Sequence, residues 1–157
     1  MTASNLPAFL AHYENNLKPV EAAYSDLENE NLPLRDESGQ PLVHRPIENR
    51  RQALAEVRST LDHVRSEPQN LSFIITLFFQ TESLTDDLFD LSQIAYDNDR
   101  EELAKRFADL MAPLDEQRDI LEAYALSLAR EKEQRLERLE RENRDLQLKL
   151  KQAMKKS

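Results

Sequence analysis

At the start of the chain, apolar residues recur at alternating spacings of four and three. Leu6, Leu10, Tyr13, Leu17, Val20, Tyr24 and Leu27 follow this rule, which is one apolar stripe of an amphipathic helix held in phase over about 22 residues. Pro19 falls inside it. Proline lacks the N–H a helix interior uses and crowds the carbonyl four residues earlier, so the unbroken phase predicts one kinked helix rather than two. Residues 29–46 then lose the pattern. They hold Pro33, Gly39, Pro41 and Pro46 among polar residues and read as a long irregular crossover.

A second stripe, Ile47, Leu54, Val57, Leu61 and Val64, predicts a helix over roughly 47–66 that ends before Pro68. A third runs over 71–96 through Ile74, Leu77, Leu84, Leu88, Leu91 and Ala95. Its first half adds Phe73, Ile75, Phe78 and Phe79, so residues 73–79 are apolar nearly all round and are expected at the centre of the core. Asp97, Asn98 and Asp99 read as the next helix start, with Asn98 and Glu101 at capping-box spacing. From there Leu103, Phe107, Leu110, Leu114, Leu121, Tyr124 and Leu128 carry a stripe onward, with Pro113 expected to kink or split it. No Gly or Pro interrupts residues 114–153. A helix of that length reaches roughly 60 Å, so part of it must project from the body or pair with another chain.

The last stretch is the most informative. Leu136, Leu139, Asn143, Leu146, Leu150 and Ala153 alternate by three and four. That places Leu136, Asn143 and Leu150 at heptad position a, and Leu139, Leu146 and Ala153 at d. A single Asn at a costs stability but can pair with its symmetry mate, fixing register and favouring a parallel two-stranded assembly. Arg135 at g faces Glu140 at the following e of a parallel partner, an attractive contact. Residues 125–134 are balanced in charge, so the strongly basic helix that precedes a DNA-reading zipper is missing.

Composition narrows the functions open to such a chain. The 157 residues include one Gly and no Cys. Gly-rich phosphate loops, Cys-ligated metals, thiol nucleophiles and disulfides are thereby excluded. The net charge of −9 is uneven. Residues 130–157 carry ten Lys/Arg against six Asp/Glu, a net of +4, and residues 1–129 carry eleven against twenty-four, a net of −13. An acidic body argues against nucleic-acid binding. Residues 1–18 do not read as a secretory signal and no apolar run approaches the ~20 residues of a membrane span, so a cytoplasmic location is expected.

Candidate chemistry is sparse. His12, His44 and His63 fall in neither Glu-x-x-His nor His-x-x-x-His spacing, which leaves ferritin-type and zincin sites unsupported. Arg35, His44, Arg45, Arg50 and Arg51 could form a cationic cluster that receives an anion or an acidic partner segment, or could simply offset the acidic body. Glu82, Asp86 and Asp90 share one helical face at i, i+4, i+8, a weak candidate for a hard cation. Neutralisation by arginines of the second helix is the competing account. Residues 97–108 resemble an EF-hand loop only at their start, since Glu102 stands where Gly is required and Ala108 where Glu is required.

The expectation is an all-α protein: an acidic bundle of about four helices over 1–129, and a coiled-coil tail over 130–157 continuous with the last helix. Its expected function is that of a non-catalytic scaffold or adaptor that binds itself, or another helical protein, through the tail, with no cofactor. Two other readings stay open. One is a surface binder, phasin-like in composition, that coats an apolar inclusion or membrane with Phe73, Phe78 and Phe79 in contact. The other is a metal-binding bundle using the Glu82, Asp86 and Asp90 stripe.

Overall fold

A computed structural model describes residues 1–29, 34–36, 38–39 and 44–157, and the side chains of all of these except 28, 29 and 44–48. Among the described residues there are four helices and no strand. They are α1 (Leu6–Asn29), α2 (His44–Ser66), α3 (Leu71–Asp97) and α4 (Glu101–Lys156).

Each helix packs against two others: α1 on α2 and α4, and α3 on α2 and α4. Side-chain pairs give the directions. Arg58 meets Glu21 and Arg65 meets Glu14 between α2 and α1, so rising numbers on one helix face falling numbers on the other. Arg50–Asp87 and the His63–Phe73 ring stack (4.9 Å) do the same for α2 and α3, and Arg106–Asp26 places α4 alongside α1. The result is an up-down-up-down four-helix bundle.

The stripes explain the packing. All seven residues of the first stripe are buried, as are Leu54, Val57, Leu61 and Val64 of α2, and Ile74, Leu77, Leu84, Leu88, Leu91 and Ala95 of α3. Ile47 lies outside the described side chains. Pro19 sits inside an unbroken α1 on its exposed side, and Pro113 does not split α4. Two phenols tie α1 to α3 across the diagonal. The Tyr13 hydroxyl lies 2.6 Å from that of Thr81. Thr81 already gives its own hydrogen to the Leu77 carbonyl at 2.7 Å, so Tyr13 is the donor. The Tyr24 hydroxyl donates to Asp87 at 2.8 Å.

Three expectations are corrected. First, α2 begins at His44, three residues before the predicted start. Pro46 is tolerated because the first helical turn has no use for its missing N–H. Second, Asn98 is the C-cap of α3 and not the N-cap of α4. The chain reverses immediately after it through Asp99, at φ 58°, and α4 starts at Glu101 behind Arg100 with no side-chain cap. The Asn98 amide instead clasps the crossover. It donates to the carbonyls of Ile94 (2.7 Å) and Arg35 (3.1 Å) and accepts from the Arg35 N–H (3.3 Å), beside the buried Leu34. The lone glycine, Gly39, occupies a turn at φ 77° closed by its N–H on the Asp36 carbonyl (2.9 Å). Third, residues 73–79 are not the centre of the core. Only Ile74 and Leu77 are buried, while Ile75 is 39% and Phe79 58% exposed. A bundle helix turns one face inward, and among the described residues no other helix covers Ile75 and Phe79 on the outer face of α3.

Candidate functional site

The buried residues of α4 are Ala104, Phe107, Leu114, Gln117, Leu121, Tyr124 and Leu128. Beyond Leu128 none is buried, and every residue from Arg130 to Ser157 is exposed. The helix nevertheless continues to Lys156, so about 40 Å of it extends past the last core residue. Leu136, Leu139, Leu146 and Leu150 are 52–64% exposed, and Asn143 and Ala153 are exposed with them. The tail stripe does not fold back on its own bundle. Among the described residues no ion pair joins tail to bundle.

The tail also divides in charge. Residues 130–143 carry five basic and five acidic side chains, and residues 144–157 carry five basic and one acidic. The whole excess of +4 therefore lies in the last half. On the heptad frame Arg141, Arg144, Lys151 and Lys155 occupy b and f positions, opposite the leucines, with Leu148 at f among them. Leu148 is 58% exposed.

The second surface feature is a groove of ≈ 630 Å³ between α2 and α3. Ala53 and Ser83 leave space between the two helices, and Phe79 stands at the rim. One end is polar: Asp87 Oδ2 accepts from both the Tyr24 hydroxyl (2.8 Å) and Arg50 Nε (2.7 Å). Burial, followed by the neighbouring Asp87 charge, pushes the Tyr24 phenol well above its ordinary range. Tyr24 is therefore a fixed hydrogen-bond donor here and not an acid. Gln80 also lines the groove, and no hydrogen bond reaches its Oε1.

The predicted cationic cluster does not assemble among the described residues. Arg50 turns to Asp87, and Arg35 bonds the Gly39 carbonyl at 2.9 Å. Arg51 acts on Glu21, whose carboxyl is held below its ordinary range first by its hydrogen bond to Arg58. The side chains of His44 and Arg45 lie outside the described residues. The carboxylate stripe is not a metal cage either, because among the described residues no three His, Asp or Glu side chains converge on a common point. Its expected neutralisation by α2 is met at Asp87 alone and not at the three stripe residues. Arg58 and Arg65 pair with α1, and Arg50 takes Asp87, which sits beside the stripe. Asp86 and Asp90 are exposed and join none of the described ion pairs, while Glu82 lies near Arg118. Phe73 and Phe78 are half-buried, which leaves Phe79 alone of the three aromatic candidates fully on the surface.

Sequence reading sees Asp87 only as a neighbour of the carboxylate stripe and passes over Gln117. Asp87 carried no signal beyond its neighbours, because its partners are remote in the chain. Gln117 is 2% exposed on the core face of α4, and no hydrogen bond reaches either polar atom of its amide. It lies midway between Leu114 and Leu121, a spacing that marks it as inward-facing.

Fold and site together define an acidic four-helix bundle whose last helix continues as a free amphipathic arm. Comparison with protein-family models, with curated proteins and with solved structures finds no match to this chain. No described helix is long and apolar enough to cross a membrane.

Proposed function

We propose that this protein is a non-catalytic scaffold or adaptor of the cytoplasm that self-associates through its C-terminal helix as a parallel homodimer. The observation that supports the reading is the Leu136–Leu150 stripe, held on a helix clear of the bundle with its leucines more than half exposed. Burying a leucine stabilises by about 1.5–3 kcal/mol, and exposed apolar patches of this kind mark interaction surfaces. Heptad spacing names the partner as another helix with the same spacing, most simply a second copy.

Asn143 supports the parallel arrangement. In register, it faces the same residue of the second chain, and the two amides satisfy each other. In an antiparallel pair it faces a d-position leucine, which leaves a polar group unpaired. Arg135 and Glu140 add a contact across the parallel pair worth about 0–1 kcal/mol. Asn143→Leu tests this directly. The variant should unfold at higher temperature and populate more than one oligomeric state by sedimentation equilibrium. A single dimer of unchanged stability would remove Asn143 from the specifying role.

A further inference from the structure

The leucine stripe leaves the opposite face of the tail unused. That face presents Arg141, Arg144, Leu148, Lys151 and Lys155 at successive spacings of three, four, three and four. In a paired tail these are b and f positions, turned away from the seam. The helical projection therefore has an outer strip of four basic residues interrupted by one exposed leucine, with Asp145 at the neighbouring c position.

The bundle offers the complement. Helix α3 carries five carboxylates and no basic residue. Its Asp86 and Asp90 are exposed and join none of the described ion pairs. Asp86 stands seven residues after Phe79 and Asp90 seven after Ser83, so both continue the α3 face that borders the groove between α2 and α3, whose own lining holds the exposed Glu56, the Arg50–Asp87 pair, Ala53, Leu84 and Phe79. From Thr76 to Asp87 the groove follows α3 for twelve residues, about 16 Å, and the strip from Arg144 to Lys155 spans the same length.

We infer that the α2–α3 groove receives the basic strip of the C-terminal helix of a second dimer, with Leu148 seated against Phe79 and Ala53 and the flanking cations facing Glu56, Asp86 and Asp90. This is helix-in-groove recognition, with burial supplying affinity and charge supplying orientation. A chain cannot fill its own groove, because α4 is one unbroken helix that leads the tail away from the bundle. The contact is therefore between unlike surfaces of different molecules. Such a contact links dimer to dimer, into a ring where the rotation closes and into an open chain where it does not. It rests on the tail-pairing reading, since pairing commits the leucine face and leaves the basic one free.

Analytical ultracentrifugation of the full chain in low and high salt tests it, because the Debye length falls from about 30 Å at 0.01 M to about 3 Å at 1 M. The expected result is a dimer in high salt and species larger than the dimer in low salt. Leu148→Gln, which keeps the charge, should weaken the low-salt association about tenfold, as loss of one buried leucine does. Lys151→Glu with Lys155→Glu should leave dimers at both salts, as should Asp86→Lys with Asp90→Lys. Mixing these two variants restores opposite charges and should restore the larger species. Dimers that stay dimers in low salt overturn the docking while leaving tail pairing intact. Low-salt assembly indifferent to Leu148→Gln overturns the groove as its seat. A monomer in high salt overturns the pairing on which the inference rests.

Discussion

The Tyr24 phenol on α1 reaches diagonally across the bundle to Asp87 on α3, donating a hydrogen bond of 2.8 Å. The same carboxylate oxygen accepts from Arg50 of α2 at 2.7 Å. One acceptor thus ties three helices together, at a place where the Arg50 and Asp87 side chains are 13% and 29% exposed. Asp87→Ala leaves a largely buried guanidinium and a phenol without their partner. It should cost about 2–3 kcal/mol in urea unfolding, whereas Tyr24→Phe, which leaves the ion pair in place, should cost about 1 kcal/mol.

Tyr13 supplies a pH dependence. Burial raises its phenol from 10.0 to about 12. As pH climbs, the unfolded chain releases this proton before the folded one does. The contribution to stability is complete below pH 10 and is lost between pH about 10 and about 12. Tyr24 is shifted in the same direction, so the test is a difference. Unfolding free energy of Tyr13→Phe should fall less steeply than that of the parent over that window. Parallel curves would show that Tyr13 ionises as freely in the fold as out of it.

Gln117 carries a cost that the bundle does not recover, since its amide is buried and no hydrogen bond reaches either polar atom. Gln117→Met keeps the length of the side chain and removes the polar group. It should raise stability by about 1–2 kcal/mol in urea unfolding with an unchanged m-value. A loss of stability would contradict the burial assigned to this side chain.

The outward face of α3 gives a paired prediction. Phe79 is 58% exposed and Leu77, two residues earlier, is fully buried. Leu77→Ala should cost about 2–5 kcal/mol, and Phe79→Ala about 1 kcal/mol or less. Equal losses would return Phe79 to the core.

These residues show what a sequence displays and what it hides. Leu6 to Leu27 keep one phase because they all touch one core, and periodicity displays that directly. Residues 73–79 mislead because apolar character around the whole helix records affinity for burial without naming the coverer, and α3, like each helix of the bundle, packs against only two neighbours. Asn98 reads as a helix start in sequence because Asn suits either end of a helix. Its role was settled by Arg35, which is 63 residues away in sequence. Arg50 and Asp87 are separated by 37 positions, and no local spacing marks a pair of that kind. The tail stripe is legible for the opposite reason, being a wholly local pattern on the exposed end of α4, past its last buried residue.

The central claim is that the exposed stripe joins two chains, and the most direct test is the mass of the full chain in solution. Light scattering on the eluted protein in high salt should give twice 18.3 kDa. Leu139→Asp combined with Leu146→Asp should return it to a single chain with the helical signal of the bundle retained. A mass of one chain for the parent protein, at concentrations where the variant reads the same, would contradict the account.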